Sequence, residues 1–562
     1  MGPGGGQRPG GGQGPLSGAG RGSFGSRARA LAAAMFERDR LVLLGILVIA
    51  ALARIPGLTT RGDFDGDQGH DMLVLLHFVR DGQIPLLGPP TSIGEFHHGA
   101  AYYFLFAPLA WLSGADPIAI LAGIATLGIA AVGVTWWLAR AIGGRAAGAI
   151  AGLLLAVSPA AIEESTFIWN PNPIPFFAVV ALGAAWRARA TGRARWWTLA
   201  MASAGMVVQL HVLGIVFLPS ILAFGVATAI RAARDGDRQR ARVVVRGLGW
   251  GIGLVAVLFV PLVVHELQTG FLETHRLLAY LTGPDGDPVG ALDPFERLMF
   301  TSLRIIGWPL VGLVTSAPFA AVMVVSFAVV LGTWAMVGGL GEERIAARWL
   351  GFTIASGALG LVFLAPSLQT VVAGLPNDHY HAFLDPVVII LLALAMRALG
   401  AGAGLATGAD RAARLVMTAA LIGLVILGVS RWPPQRQVAG GWPAARDAGA
   451  RVVAAFPGAT FDVRGLPVFK SAEGIGFPIV AAGGTAAIAT GLASSGAPLA
   501  SGSVLVVVCD RLFEAVIGDP CGGPAEDRFV ARLAASGATT DGLVVVERFD
   551  ASVRTSVSIY RR

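Results

Sequence analysis

The chain has 562 residues, of which 54% are hydrophobic and 14% are charged, with a mean hydropathy of +0.67. An ordinary soluble domain has about 25% charged residues, so this composition excludes a soluble globular protein and predicts a polytopic membrane protein. The formal net charge of +7 comes largely from arginines in short loops between apolar runs, and we therefore expect no nucleic-acid partner.

Apolar runs dominate the part of the chain before residue 431, and many approach the roughly 20 residues needed to cross a hydrocarbon core. We predict about eleven membrane-spanning helices from them. The runs are Leu41 to Leu58, Pro117 to Leu138, Ala146 to Ile162, Pro173 to Trp186, Trp196 to Leu210, Leu213 to Ile230, Val243 to Val264, Ala317 to Leu340, Leu350 to Pro366, Leu384 to Met396 and Leu415 to Val429. A shorter aromatic run, Ala100 to Leu112, is predicted to be a helix in the membrane interface.

Arginine indicates the orientation of these spans. Short cytoplasmic loops collect Lys and Arg, and alternate loops of this chain do so, for example around Arg140, Arg187 and Arg238. The N-terminus is therefore predicted to be cytoplasmic, in a multi-pass protein of the cell membrane, and an odd number of spans places the C-terminus outside. Residues 1–34, rich in Gly and Pro, are predicted to be a disordered cytoplasmic tail, and residues 35–430 the transmembrane module.

Residues 431–562 are less hydrophobic and are predicted to form a small soluble α/β domain outside the membrane. Runs such as "SVLVVVCD" and "RTSVSIYR" predict strands, and helical patterns lie at Ala444 to Ala455 and Glu526 to Ala535. Both cysteines of the chain, Cys509 and Cys521, fall in this domain. They predict a disulfide in that compartment, with two free thiols as the alternative.

The stretch "RGDFDGDQGHDMLVLLHFVRDG" follows the first apolar run and carries several aspartates. A helix that starts near Asp67 places Met72 and Leu75 on an apolar face. The opposite face carries Asp67 and His70, so we predict an amphipathic helix lying along the membrane. Asp67 is then in the first turn, where exposed backbone N–H groups help to keep a carboxylate ionised.

Simpler interpretations compete for these aspartates. A calcium-binding EF-hand loop is excluded, because Gln68 stands where that loop needs Gly and Val74 where it needs Glu. A helix cap with solvated charges is the favoured interpretation of any single aspartate. A site for a divalent cation stays open, and its candidate ligands are Asp65, Asp67 and His97.

A second polar cluster, in "TSIGEFHHGAAYY", precedes the interfacial run. It contains Glu95, His97 and His98, residue types that bind metals or phosphate. Tyr102 follows them, but aromatic residues are common at this depth and indicate little by themselves. Polar chemistry thus concentrates at one interface, whereas coupled carriers usually keep ionisable residues near the membrane midplane. This favours an enzyme over a transporter.

In their order, these motifs resemble the C-type superfamily of integral-membrane glycosyltransferases, in particular the families of lipid A aminoarabinose transferase and protein O-mannosyltransferases. "DQGHDMLVLLHFVRDG" is similar to the acidic motif of the first external loop, with Asp67 in the leading position, and "EFHHGAAYY" to the motif that follows. "SPAAIEESTFIWNPNPIPFF", "QLHVLG" and "NDHYHAFLDP" are similar to later external-loop motifs. The resemblance covers about Leu41 to Met396.

The resemblance implies an all-α polytopic membrane fold with juxtamembrane helices in the first external loop, followed here by the α/β domain. It also implies a donor in which a sugar is joined to a polyprenyl phosphate, and a glycan, lipid or protein acceptor. Asp67 would be the catalytic general base, with inversion at the anomeric carbon. The residues expected to support catalysis or to bind the donor phosphate are Asp65, His70, Glu95, His97, His98, Tyr102, Asn170, Asn172, His211, Arg276, Arg297 and Tyr380.

The chain departs from the family's motifs in two places. Asn170 or Asn172 stands where an Asp is usual, and His211 where Lys is common. Lys470 is the only lysine of the chain. Where lysine binds the lipid phosphate in the family, we therefore expect histidine or arginine to bind it here. Two other functions compete: a non-enzymatic lipid or glycolipid transporter, and a scaffold whose C-terminal domain binds a partner.

Overall fold

The computed structural model describes residues 1–2, 21–91, 96–282, 292–369, 377–400, 409–431, 440–468, 472–489, 499, 502–535 and 542–562. The chain divides into two compact units, 1–45 and 46–562. The first unit contains the N-terminal part of helix α1, and the second contains the elements discussed below. Residues 3–20 of the predicted tail lie outside the described residues, and α1 begins at Arg21, inside that predicted tail.

Helices form the part of the chain before residue 431. They are α1 (Arg21–Arg54), α2 (Gly66–Asp81), α3 (Ala101–Ser113), α4 (Pro117–Val157), α5 (Pro159–Glu163), α6 (Ile174–Thr191), α7 (Ala194–Leu210), α8 (Leu218–Arg234), α9 (Arg238–Leu258), α10 (Val260–Thr269), α11 (Leu272–Thr282), α12 (Pro294–Val311), α13 (Pro318–Gly338), α14 (Gly341–Leu364), α15 (Asp385–Gly400) and α16 (Ala409–Ser430). Among the described residues, 7 helical segments are long and apolar enough to cross a membrane. The prediction of a polytopic helical membrane protein is confirmed.

Two details agree with the predicted runs. Helix α4, with 41 residues, contains the run Pro117 to Leu138 and most of the run Ala146 to Ile162. Its backbone leaves the helical region at Gly144 (φ 80°, ψ −171°), a conformation that suits glycine. It is therefore two helices joined at a sharp break beside Arg145. Helix α3 has 13 residues, too few to cross a bilayer, as the prediction of an interfacial helix requires.

Helix α15 lies at the centre of the helical bundle. Every side chain from Val387 to Met396 is buried, and the helix packs against α4, α13, α14 and α16. A helix that is apolar on all sides lies in a protein core or in a membrane, and here other helices surround α15. The region just before α15, a 3-10 helix at Asn377–Leu384, is thereby fixed at one end of the bundle.

The C-terminal domain is a five-stranded sheet in the order β2-β1-β3-β5-β4. Strands β1 and β2 run parallel, as do β1 and β3, and β5 is antiparallel to both of its neighbours. Helices α17 and α18 cover one face and α20 the other. The elements are α17 (Gly441–Ala455), β1 (Thr460–Leu466), α18 (Ala472–Ala481), β2 (Thr485–Ile488), β3 (Val504–Asp510), α19 (Glu514–Ile517), α20 (Pro524–Ala535), β4 (Val544–Asp550) and β5 (Thr555–Arg561). The predicted α/β domain is confirmed.

Cys509 and Cys521 form a disulfide that closes a short loop between β3 and α20. Replacing both with Ser should destabilise the C-terminal domain by about 3 kcal/mol in the chain-entropy model of loop closure. The resistance of this domain to limited proteolysis, in the full-length protein with and without reductant, measures the effect. A double-Ser variant that is as resistant as the oxidised wild type would contradict the expectation.

Candidate functional site

Helix α2, which carries the predicted base, starts at a capping box. The Asp65 side chain accepts a hydrogen bond from the N–H of Asp67 (3.0 Å), and Oε1 of Gln68 accepts one from the N–H of Asp65 (3.0 Å). This reciprocal cap fixes the first turn and thereby the backbone of Asp67. Met72 and Leu75 are fully buried inside the protein on another face of the helix, so the predicted helix is present, and its position along the membrane stays a prediction.

The first half of α2 packs directly on α18 of the C-terminal domain. At Gly69 an added Cβ would lie 2.0 Å from the carbonyl oxygen of Glu473, so the two helices touch backbone to backbone. One residue further along α2, Nδ1 of His70 lies 2.8 Å from Oε1 of Glu473. A carboxylate only accepts hydrogen bonds, so the imidazole donates.

Ion pairs and aromatic packing also stabilise the contact between the acidic stretch before α2 and the C-terminal domain. Arg554, just before β5, lies 2.8 Å from Asp63 and 3.4 Å from Asp65. Its guanidinium also forms a bidentate pair with Asp510 at 2.9 and 3.0 Å. Phe64 packs against Trp442, with ring centroids 4.9 Å apart. Much of the acidic stretch therefore binds the C-terminal domain.

Gly69→Ala should separate α2 from α18, because the new methyl group overlaps the α18 backbone. We expect faster proteolytic release of the C-terminal domain. Gly253→Ala is the matched control, since Gly253 lies in helix α9 with open space around its Cβ position. Equal protease resistance of the two variants would refute the tight contact.

An open cavity lies beside this contact. Its walls come from α2, the segment before α3, the loop after α5, the turn between α7 and α8, the segment between α14 and α15, and α18. The predicted site residues that line it are Asp67, His70, His98, Asn170, His211 and Tyr380, joined among others by Asp71, Trp169, Tyr280, His379 and Glu473. Motifs that are far apart in the sequence thus meet in one cavity.

Two neutral histidines form one wall. The rings of His98 and His211 lie 4.5 Å apart, and the Tyr380 ring lies 4.9 Å from His211. Burial lowers the pKa of His98 well below its usual value, with His211 adding repulsion, and burial also lowers the pKa of His211. Nδ1 of His98 accepts the N–H of Val212, and Nδ1 of His211 accepts that of Leu213, both at 3.3 Å. Each neutral ring therefore carries its proton on Nε2.

The wall of the cavity that α2 forms carries ionisable side chains. Burial alone would lower the pKa of His70, but its hydrogen bond to Glu473 and the attraction of Glu473, Asp71 and Asp67 raise that pKa to about 9. Burial raises the pKa of Asp71 to about 7, against the opposing effects of His70 and of a hydrogen bond from the Tyr103 hydroxyl (3.0 Å). His70 is thus a cation at neutral pH.

A buried ion pair supports the segment with His379 and Tyr380. The Arg304 guanidinium donates to both carboxylate oxygens of Asp378, at 3.0 and 2.8 Å, and Nε2 of His381 lies 3.1 Å from the same carboxylate. Arg304, Asp378 and His381 are each at most 1% exposed. This pair anchors the 3-10 helix that presents His379 and Tyr380 to the cavity.

Several predicted residues lie outside the cavity lining. His97 bonds Glu273 through its N–H (2.7 Å) and its ring Nδ1 (3.0 Å), and Arg276 pairs with the same carboxylate at 3.0 Å. Arg297 donates to the carbonyl oxygen of Leu292 (2.7 Å). The contact between His97 and Glu273 therefore connects α11 to the segment before α3, and Arg276 pairs with Glu273 within α11.

The other predicted residues have structural contacts. Tyr102 is fully buried and packs on Tyr103 and Phe106. Asn172 donates to the carbonyl oxygen of Phe167 (2.7 Å), as a local turn brace. Asp65 caps α2, as described above, and Glu95 lies outside the described residues.

The polar groups of the cavity define what it can bind. None of its described lining residues is Arg or Lys, so a cationic side chain in the lining must be a histidine. In the described part of the chain, no group of three or more His, Cys, Asp or Glu side chains is arranged to hold a metal ion. The candidate ligands Asp65 and His97 instead contact Arg554 and Glu273.

Several residues that line the cavity were not among the predicted site residues, and Trp169 and Glu473 are two of them. Trp169 lies within the predicted motif and packs against His379, with ring centroids 4.1 Å apart. Its place beside Asn170 was the available signal. Glu473 comes from the C-terminal domain, which the resemblance did not cover, and no pattern in the surrounding "AEGIGFP" marks it.

No family model and no curated protein matches the chain. Among solved structures, ArnT from Cupriavidus metallidurans bound to undecaprenyl phosphate superposes with a TM-score of 0.57 at 13% identity, over 92% of this chain and 97% of that chain. Its apo state gives a TM-score of 0.55 at 13% identity, over 94% and 98%. The chain has the fold of ArnT, and the predicted resemblance to C-type integral-membrane glycosyltransferases is confirmed for the fold.

Proposed function

We propose that this protein is a membrane glycosyltransferase that moves a sugar from a polyprenyl-phosphate donor to an acceptor hydroxyl at the outer face of the membrane. One observation carries the proposal: Asp67, at a fixed helix N-terminus, shares a cavity with a cationic His70 and the neutral pair His98 and His211. The fold supports it, because ArnT of the same fold was solved with undecaprenyl phosphate bound.

In the proposed reaction, Asp67 accepts the proton of the acceptor hydroxyl. The hydroxyl oxygen attacks the anomeric carbon as the bond from that carbon to the phosphate oxygen breaks, so the configuration inverts. His70 and the Nε2–H groups of His98 and His211 stabilise the charge on the departing phosphate. No nucleotide is needed, since the phosphate leaves on its lipid.

The orientation belongs to the same proposal. Arginine-rich alternate loops support a cytoplasmic N-terminus. The Cys509–Cys521 disulfide supports an extracytoplasmic C-terminal domain, and the cavity, which touches that domain, then opens on the outer face.

The test supplies the purified protein in proteoliposomes with polyprenyl phosphate carrying a labelled hexose or pentose and with extracts of cell-envelope glycans. We expect label in the acceptor fraction, with the anomeric configuration opposite to that of the donor. If the labelled lipid crosses the bilayer with its covalent structure unchanged and no product forms, the protein is a transporter and the proposal is wrong. Mass spectrometry of envelope glycans from cells with and without the protein then identifies the sugar.

A further inference from the structure

We propose that Glu473, contributed by the C-terminal domain, is a positioning residue that orients His70 and keeps it protonated to bind the donor's phosphate. This inference rests on the proposed function and deepens it, because it assigns phosphate recognition to a residue pair that forms only when the two parts of the chain are docked. Glu473 acts through His70, without touching the reacting atoms.

The geometry leaves one ring nitrogen for a ligand. Nδ1 of His70 donates to Oε1 of Glu473 at 2.8 Å, so Nε2 is the remaining donor. The side chains of His70 and Glu473 are 27% and 19% exposed, and both residues line the cavity. A doubly protonated imidazole held on one side by a carboxylate presents a directed N–H on the other side.

Arginine and lysine are absent from the described residues that line the cavity. His98 and His211 are neutral, and Arg276 and Arg304 are bound to Glu273 and Asp378. A phosphate leaving group needs positive charge close by. His70, paired with Glu473, is a lining side chain that provides it.

The charged groups that face His70 determine its protonation. On α2 these are Asp67 and Asp71, on α18 it is Glu473, and the segment before α3 contributes His97. Glu473 alone combines a direct hydrogen bond with a full negative charge. Replacing it by Gln keeps a hydrogen-bonding side chain but removes the charge, so the burial of His70 then favours the neutral ring.

Helices α2 and α18 pack closely because each has a glycine at the contact. Gly69 and Gly474 each let the opposite backbone approach more closely than a Cβ would allow, with Glu473 and Asp65 as the respective neighbours. The carboxylate of Glu473 is thereby held at one distance from His70, as a positioning role requires.

The experiment measures binding of farnesyl phosphate, a short soluble polyprenyl phosphate, to the full-length protein in detergent between pH 6 and pH 9, with farnesol as the uncharged comparison. The variants are Glu473→Gln and Glu547→Gln. Glu547, in the same domain, is a matched control because its carboxylate pairs with Arg451 and is not among the residues lining the cavity. Binding is expressed as a ratio to wild type at each pH, which cancels the titration of the phosphate itself.

In wild type, His70 stays charged up to about pH 9, so the preference for farnesyl phosphate persists at pH 8. In Glu473→Gln we expect binding at pH 8 to fall by about 30-fold or more, since a histidine with the ordinary pKa of about 6.5 is charged in only about 3% of molecules there. Affinity should recover towards wild type as the pH falls to 6. Glu547→Gln should match wild type throughout.

A second variant tests whether Glu473 acts through the charge of His70 or through the stability of the fold. Adding His70→Lys to Glu473→Gln restores a permanent cation and should restore binding at pH 8, which a purely structural role of Glu473 would not predict. If wild type prefers farnesyl phosphate but Glu473→Gln binds it equally well at pH 8, the proposed function stands and this inference is overturned. If wild type binds farnesol as tightly as farnesyl phosphate, the donor class itself is wrong and both fall.

Discussion

Asp67→Asn should lower sugar transfer by about 10²–10⁴-fold, the usual contribution of a general base. The amide keeps the size of the side chain but cannot take the proton of the acceptor hydroxyl. Because Asp67 lies on a helix whose start is fixed by Asp65 and Gln68, the substitution should leave the fold and the binding of farnesyl phosphate nearly unchanged. Initial rates with labelled donor, at equal amounts of folded protein, measure the effect.

The control for this variant is Asp81→Asn. Asp81 lies at the other end of α2, where it contacts His77 and Arg80 and not the cavity. Transfer should stay at the wild-type rate in this variant. Undiminished transfer by Asp67→Asn would show that Asp67 is not the general base. It would favour the simpler interpretation, in which Asp67 is only a residue at the start of the helix.

Asp378→Asn should be the most destabilising single change among those considered. It leaves the buried Arg304 without a counter-charge, and breaking a buried pair from one side typically costs about 3–5 kcal/mol. The thermal unfolding midpoint in detergent, followed by the loss of the monodisperse peak in size-exclusion chromatography, should drop strongly.

Two further variants make this prediction specific. Arg304→Met combined with Asp378→Leu should recover much of the stability, because an apolar pair of similar volume often replaces a buried ion pair at little cost. Asp235→Asn, which removes an exposed partner 4.0 Å from Arg231, should have little effect. A midpoint for Asp378→Asn equal to that of Asp235→Asn would show that the buried pair contributes nothing.

The helical bundle and the α2 part of the site follow from local signals. Hydropathy marks the spans, because a bilayer requires continuous apolar length. Helix α2 can be predicted from the sequence because its N-terminal cap and the 3.6-residue period of its apolar residues indicate the same helix boundaries. The site residues from the later loop motifs, such as Asn170, His211 and Tyr380, were found through the resemblance and not through any local pattern.

The remaining part of the site depends on partners far away in sequence. Arg304 and Asp378 are 74 positions apart, and nothing local distinguishes Arg304 from Arg276 or Arg297. Helix α18 was missed because "AEGIGFPIVA" has two internal glycines and a proline and no amphipathic period. Its burial between the sheet and α2 makes it a helix, so Glu473 is a tertiary feature.

The contact between Arg554 and Asp63 spans 491 positions, and this separation has a consequence for biogenesis. At a synthesis rate of about 5–20 residues per second, roughly 25–100 s pass between the synthesis of Asp63 and the synthesis of Arg554. During that interval Asp63, Asp65 and Phe64 lack their partners in the C-terminal domain. The candidate site is therefore completed last, and a chain that stalls near its end would contain the helical bundle but lack Arg554.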